Sequence, residues 1–320
     1  IRAITRASEA FFLGPPQGFA DHPLLSQRDV VFIARDDQRE SLDAMHRELA
    51  AEAPVRIMNA MEVQNRVPLL REAYAVAGLL DASGSDIDVA ALHAGFLRVF
   101  KGRGGRLLTN ARVRALTRRG GGWTIDIGDR QLQARVVVNA AGAWAEHVGE
   151  LAGAETIGLV PKRRTAVIVA APAGADIARL PLTVDIDEQF YLKPDAGRLL
   201  LSPANEDPQA PADAQPDEWD VAICIDRIQR AFDLDIRRVE NKWAGLRSFV
   251  ADKAPVVGFS DRVEGFFWLA GQGGYGVQSS PGMSRLATAL LLGEPIPADI
   301  AAQGLRAEDV APARCSSLAR

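Results

Sequence analysis

Two arginines stand where a charge is costly. Arg164 opens the apolar run Thr165-Ala-Val-Ile-Val169, and Arg247 lies inside Trp243-Ala-Gly-Leu-Arg-Ser-Phe-Val250. A guanidinium among apolar residues must be paired or must bind something. Its planar fork matches a carboxylate bidentately. Each arginine therefore reads either as half of an internal ion pair or as part of an anion site. Tyr191, in Phe190-Tyr-Leu-Lys-Pro194, reads as core packing or as a phenol that joins such a site.

A second candidate lies further along. Gly271-x-Gly273-x-x-Gly276 has the glycine spacing of a dinucleotide turn, with a strand-like run before it and a helix-like run after it. A complete βαβ unit would also need a second strand with an acidic residue about 20 positions on; here the chain runs through a helix into Gly293-Glu-Pro and a tail, so the unit is not complete. The bland reading is a tight strand-to-helix turn. In the functional reading the glycines let backbone N–H groups approach a ligand closely. Ser280-Pro281 reads as the N-cap and first residue of a helix over 281–292. That helix start would face an electron-rich group, such as the pyrimidine edge of a flavin.

Other chemistry is scarce. The four histidines, His22, His46, His93 and His147, have no metal-ligand spacing. No nucleophile elbow, phosphate loop or Cys–His pair is present. Two cysteines, Cys224 and Cys315, cannot build a disulfide framework or a zinc site. A net charge of −4 argues against a dedicated nucleic-acid surface. No apolar run is long enough for a transmembrane segment. No leader-like stretch follows Ile1, and a cytoplasmic location is expected.

The 320 residues, 48% hydrophobic and 24% charged, suit a globular chain with two domains. Helices are expected over 1–13, 38–51, 61–66, 88–99, 143–152, 218–232 and 281–292. Period-two runs predict strands at 30–33, 74–80, 107–108, 113–116, 123–127, around Leu132, and at 164–171, 189–193, 198–202, 238–247 and 255–259. Residues 81–86 read as a turn, and 202–217, with four prolines, as a long loop. Val136-Val-Val138 and Phe266-Phe-Trp-Leu269 are continuous apolar runs of the kind found in buried parallel strands. The tail 294–320, rich in Ala, Arg and Pro, is expected to pack weakly. The mixture predicts an α/β chain of two interleaved domains.

Together these motifs resemble a known family. Val136-Val-Val-Asn-Ala-Ala-Gly-Ala-Trp144, Trp243-Ala-Gly-Leu-Arg247 and Ala270-Gly-Gln-Gly-Gly-Tyr-Gly-Val-Gln278 are similar to the FAD-dependent D-amino-acid oxidase superfamily. Pro161-Lys-Arg-Arg164, Phe190-Tyr-Leu-Lys-Pro-Asp-Ala-Gly197, Ser202-Pro-Ala-Asn205 and Gly245-Leu-Arg-Ser-Phe-Val-Ala-Asp252 resemble its D-arginine dehydrogenase branch. The likeness runs from Ile1 to about Pro297 and leaves out the family's first βαβ unit and lid, so that unit is expected to be missing here. The implied fold is a Rossmann-like FAD domain (1–15, 81–158 and 244–320) interleaved with an antiparallel-sheet substrate domain (16–80 and 159–243).

The resemblance also implies roles. Arg164, Tyr191 and Arg247 would hold a substrate carboxylate, and the Gly274 carbonyl would accept from its amine. Leu182, Val184, Tyr275 and Val277 would line the pocket, and Asp29 would either replace, with a shorter reach, an acid that meets a basic side chain or miss the pocket. Gly273, Gly274, Tyr275, Gly276, Val277 and Gln278 would contact the flavin ring. Ala140, Ala141, Gly142 and Trp144 would border the cofactor, and Val113 would meet the adenine. FAD would be noncovalent, for neither cysteine lies near these motifs. The implied reaction is oxidation of a D-amino acid by hydride transfer from Cα to the flavin, then hydrolysis to a 2-oxo acid and ammonia. A quinone or another acceptor would reoxidise the flavin. Two alternatives stand beside this: an N-methyl amino acid oxidase of the sarcosine type, and a non-catalytic remnant or binding subunit.

Overall fold

Period-two patterning in the middle of the chain becomes one large sheet. The computed structural model describes residues 1–51 and 53–318. Strands Val239–Phe249, Val160–Ala170, Arg198–Ser202, Tyr191–Asp195, Leu182–Asp185, Val30–Ala34, Ala77–Asp81 and Val55–Asn59 lie side by side in that order. The short strand Asp207–Pro208 also pairs with Val160–Ala170. Leu182–Asp185 runs parallel to Val30–Ala34, and the other pairings are antiparallel.

Successive side chains in a strand point to opposite faces. On one face Val167, Val169, Leu192, Leu199 and Leu201 are buried against Val221, Cys224 and Ile228 of helix Glu218–Ala231 and against Val63 and Val67. The alternate residues Leu182, Val184, Tyr191, Lys193 and Leu200 stand on the other face, half-buried. One side of the sheet is thus committed to the core and the other stays half-buried.

A second, three-stranded sheet has the order Val256–Phe259, Phe266–Ala270, Val137–Asn139, its last pair parallel. Phe266 and Trp268 are buried with Trp123. Val257 and Phe267 pack toward Ile4, Met283 and Leu286, which joins helix Arg2–Leu13 to helix Gly276–Leu292. Smaller sheets are formed by Ala115–Arg119, Gly122–Asp126 and Gln131–Ala134, and by Leu25–Gln27 with Ser85–Ile87.

Several expectations are corrected. Val136–Val138 is parallel but not buried: it lies at a sheet edge, and Val136 and Val138 are exposed. Leu107 and Leu108 lie outside strands. The turn at 81–86 contains the start of strand Ser85–Ile87. The helix expected over 281–292 starts at Gly276, so Ser280 is not its cap and Pro281 lies inside it. Proline has no N–H for the Val277 carbonyl. The Ser280 hydroxyl donates to that oxygen instead, at 2.8 Å. The tail also packs firmly. Ile300, Val310 and Cys315 are buried, and the Val310 carbonyl accepts from Val257 N at 2.8 Å.

Helices Arg2–Leu13 and Gly276–Leu292 touch through backbone. Gly282 N donates to Ser8 Oγ at 2.9 Å, and a Cβ at Gly282 would stand 2.5 Å from the Ile4 carbonyl oxygen. Gly282→Ala must push the helices apart. A loss of about 1–3 kcal/mol is expected, as for overpacked cores, measured as a lower urea midpoint at unchanged slope. An unaltered midpoint would show that this contact adapts freely.

Candidate functional site

Strand register brings the arginines together. Lys162 lies opposite Arg247, and Arg164 opposite Gly245. Directly opposed residues share a face, so Lys162, Arg164 and Arg247 project to the ligand side. Arg163 points the other way and donates to Asp220 at 2.9 Å and Gln209 at 3.2 Å. Tyr191 and Arg247 are both near enough to act on the Arg164 charge. Burial first, then the like charge of Arg247, lower the Arg164 pKa, while Tyr191 and Glu206 act to raise it.

Arg164 is only partly satisfied. Its side chain is 10% exposed, Nη2 donates to Glu206 Oε1 at 3.2 Å, and Nε is buried without a partner. The second Glu206 oxygen accepts from Lys162 Nζ at 3.1 Å. Burial acts to raise the Glu206 carboxyl pKa, but the hydrogen bond and charge of Lys162, with Arg164 and Lys253, outweigh it and hold that pKa below the usual range. Lys162 also stands 5.2 Å from the centre of the Phe249 ring, a cation–π contact.

The glycine turn is fastened to the same strand. Gly273 N donates to the Ser248 carbonyl at 3.0 Å. Gly273 has φ of 56°, and a Cβ there would stand 2.3 Å from the Phe249 ring. A Cβ on Gly274 would stand 3.1 Å from Arg247 Nη1. Bare backbone at both positions therefore lets the turn lie against the arginine strand.

A second turn comes beside it. Strands Val137–Asn139 and Phe266–Ala270 are parallel, and turns 140–144 and 271–276 leave their carboxyl ends. Ligand crevices of α/β sheets form at such ends. Asn139, buried, fixes the first turn: its Nδ2 donates to the Ala145 carbonyl at 2.8 Å and its Oδ1 accepts from Ala141 N at 3.3 Å. Segment Gly142–Trp144 packs on strand Val239–Phe249. Ala140, Gly142, Trp144, Gly274, Tyr275 and Val277 are exposed along this border, and Gln278 is half-buried. Flat apolar surface next to backbone turns and a cationic face suits a large aromatic cofactor.

The remaining candidates divide. Val184 pairs with Tyr191, and Leu182 lies two positions along on the same face. Val113 is half-buried against the cluster that holds Trp123 and Trp268. Asp29 does not join the arginines. Its carboxylate accepts from Arg66 at 2.6 and 3.2 Å, and Arg66 ends the helix whose Val63 packs in the core of the opposite face. Lys162, Phe249 and Glu206 belong to the site but were not singled out from the sequence. A two-residue spacing from Arg164 and Arg247 was the available signal for Lys162 and Phe249. Glu206, in a proline-rich loop, had none.

Comparison with known proteins fits this geometry. The family described as FAD dependent oxidoreductase (DAO) matches residues 10–290. The chain belongs to the DAO family. FAD is the cofactor of this family, and the turns and glycine contacts above fit it. Human mitochondrial dimethylglycine dehydrogenase is 26% identical over 261 residues, 73% of this chain and 29% of that protein. FAD-dependent oxidoreductase domain-containing protein 1 of Xenopus laevis is 27% identical over 186 residues, 51% of this chain and 36% of that protein. The chain spans about a third of the length of the curated relatives it matches. Among solved structures, glycine oxidase from Geobacillus kaustophilus superposes with a TM-score of 0.79 at 21% identity, covering 91% of this chain and 79% of that one. The DAO fold is thus present. Among the described residues no helix is long and apolar enough to cross a membrane, and no cluster of His, Cys, Asp or Glu could hold a metal.

Behind the arginine face, Asp220 anchors the supporting loop. One carboxylate oxygen accepts from Arg163 at 2.9 Å, Thr165 Oγ1 at 3.0 Å and Asn205 Nδ2 at 3.0 Å. Asp220→Ala strands three donors, one of them a guanidinium. A stability loss of about 3 kcal/mol is expected, read from urea unfolding. A loss within error would mean that Asp207 and Asp217, 3.8 and 3.9 Å from Arg163, take over.

Proposed function

We propose that the chain forms the substrate-holding part of an FAD-dependent enzyme that oxidises an amino acid at the carbon bonded to nitrogen. The observation that carries this is the pair Arg164 and Arg247 on one half-exposed face with Tyr191, Arg164 keeping a buried Nε without a partner. A carboxylate accepts two parallel bonds from such a fork. Arg164, Arg247 and Tyr191 fix the carboxylate, and this sets where Cα lies. The Gly274 carbonyl is offered as an acceptor to the N–H of the substrate nitrogen. When bound, FAD supplies the oxidising power. The chain contributes orientation and exclusion of water, which are substantial catalytic terms.

D-Amino acids with apolar side chains are the preferred substrates in this reading. Leu182 and Val184 offer apolar surface, and Asp29 is already committed to Arg66. A basic preference of the D-arginine dehydrogenase kind therefore loses its acid. The flavin is held noncovalently. Cys224 is buried on the opposite face with its pKa pushed up to about 12 by burial, and Cys315 is buried beside Trp268. A second reading, oxidation of an N-methylated glycine, is favoured by the likeness to dimethylglycine dehydrogenase.

Dye reduction by the FAD-loaded protein with D-leucine, D-arginine, glycine and dimethylglycine separates these readings. D-Leucine should be fastest; a rate confined to dimethylglycine overturns the D-amino acid assignment. Arg247→Met should lower kcat/KM roughly a hundredfold, about 2–3 kcal/mol of lost charged hydrogen bonding. Asp29→Ala should leave the ratio of kcat/KM for D-arginine over D-leucine unchanged. A fall in that ratio would return Asp29 to the pocket.

A further inference from the structure

We propose that Glu206 is a specificity-determining residue: its carboxylate occupies the Arg164 fork in the ligand-free protein, and a substrate carboxylate binds by taking its place. This rests on the reading of the arginine face as a carboxylate site. Four observations carry it. First, Glu206 holds Arg164 by a single contact, Nη2 to Oε1 at 3.2 Å, while Nε stays bare. A ligand that meets two donors outcompetes an anion that meets one. Second, the other Glu206 oxygen is held by Lys162 at 3.1 Å. Glu206 can thus release Arg164 without losing its counter-charge.

Third, the loop that carries Glu206 is built for the position. Asn205 Oδ1 accepts from Thr165 N at 2.9 Å, and Asn205 Nδ2 donates to Asp207 and Asp220 at 2.9 and 3.0 Å. Ala204 sits at φ 53°, a conformation that costs a non-glycine residue energy and must be imposed by its surroundings. Fourth, Glu206 is 32% exposed and lines an open cleft of about 420 Å³ with Glu188, Trp219 and Arg227. A displaced carboxylate there can rehydrate. Two cations, Lys162 and Arg164, share the Glu206 carboxylate, and a ligand brings another anion to the face.

Glu206 therefore sets the threshold a carboxylate must exceed. Isothermal titration with benzoate, a planar monocarboxylate without an amine, tests it on the full chain loaded with FAD. Glu206→Gln keeps the shape and removes the charge. It should tighten benzoate about threefold to tenfold, and the gain should vanish in an Arg164→Met background. Lys162→Met leaves Glu206 wholly to Arg164 and should weaken benzoate. If Arg164→Met weakens benzoate but Glu206→Gln matches or falls below the wild type, the Glu206 proposal fails alone. If Arg164→Met and Arg247→Met leave the titration unchanged, or no form binds, the carboxylate site fails and takes this proposal with it.

Discussion

A one-residue slip between Val160–Ala170 and Val239–Phe249 would turn Arg247 to the opposite face from Lys162 and Arg164. Almost every feature of the site depends on that register. Each strand is 11 residues long, and the pairing runs unshifted from Val160 to Ile168. It becomes irregular only between Ile168 and Val169, on the far side from the arginines. The register is held by burial rather than by the site. Val167 and Val169 on one strand pack in the core with helix Glu218–Ala231, and Val239 on the other packs against the same cluster, so a slip of either strand would drive one of these side chains into the half-exposed side. Apolar burial at roughly 25 cal/mol per Å² makes that expensive.

The same constraint creates an electrostatic debt. Two guanidiniums on neighbouring strands repel, and burial penalises Arg164 further. A protein selected for stability alone would replace them with apolar residues of similar volume. Instead Glu206 and Tyr191 offset part of the penalty. An unpaired buried donor costs about 1–3 kcal/mol, and Arg164 Nε is such a donor. Stability lost at one position in a ligand-facing surface is the ordinary signature of a binding group.

What could be read from the sequence follows from where each signal resides. Arg164 and Arg247 were legible because a charge interrupts an apolar pattern, which is a local fact. Glu206 was not, because its partner lies 42 positions away and its own loop looks like solvent-exposed chain. The partner of Asp29 was hidden for a related reason. Its place before a strand was visible, but Arg66, 37 positions on, claims its carboxylate from the other face. Ser280-Pro281 satisfied the rules for a helix start, yet the helix begins at Gly276, since the serine hydroxyl replaces the proline's missing donor. The tail looked weak by composition, but three buried side chains, Ile300, Val310 and Cys315, are enough to seat it. The DAO-type fold, carried by several long apolar runs, was the more legible part.

The arginine strand and the glycine turn are mechanically one unit. Three successive residues of a single strand meet two successive glycines: Arg247 lies against Gly274, the Ser248 carbonyl binds Gly273 N, and the Phe249 ring covers Gly273. A side chain at Gly273 would displace the Phe249 ring, and one at Gly274 would press on the Arg247 guanidinium, although glycine is entropically the costliest residue to order. That cost is tolerated because position matters more than local stability here. In the proposed oxidation at Cα the carbon must sit at a fixed distance from the cofactor, and small misplacements are severe in rate. With Arg247 and the backbone of Gly273 and Gly274 in contact, thermal motion of the sheet carries both together. Their separation is then protected even where the half-exposed face itself is free to breathe.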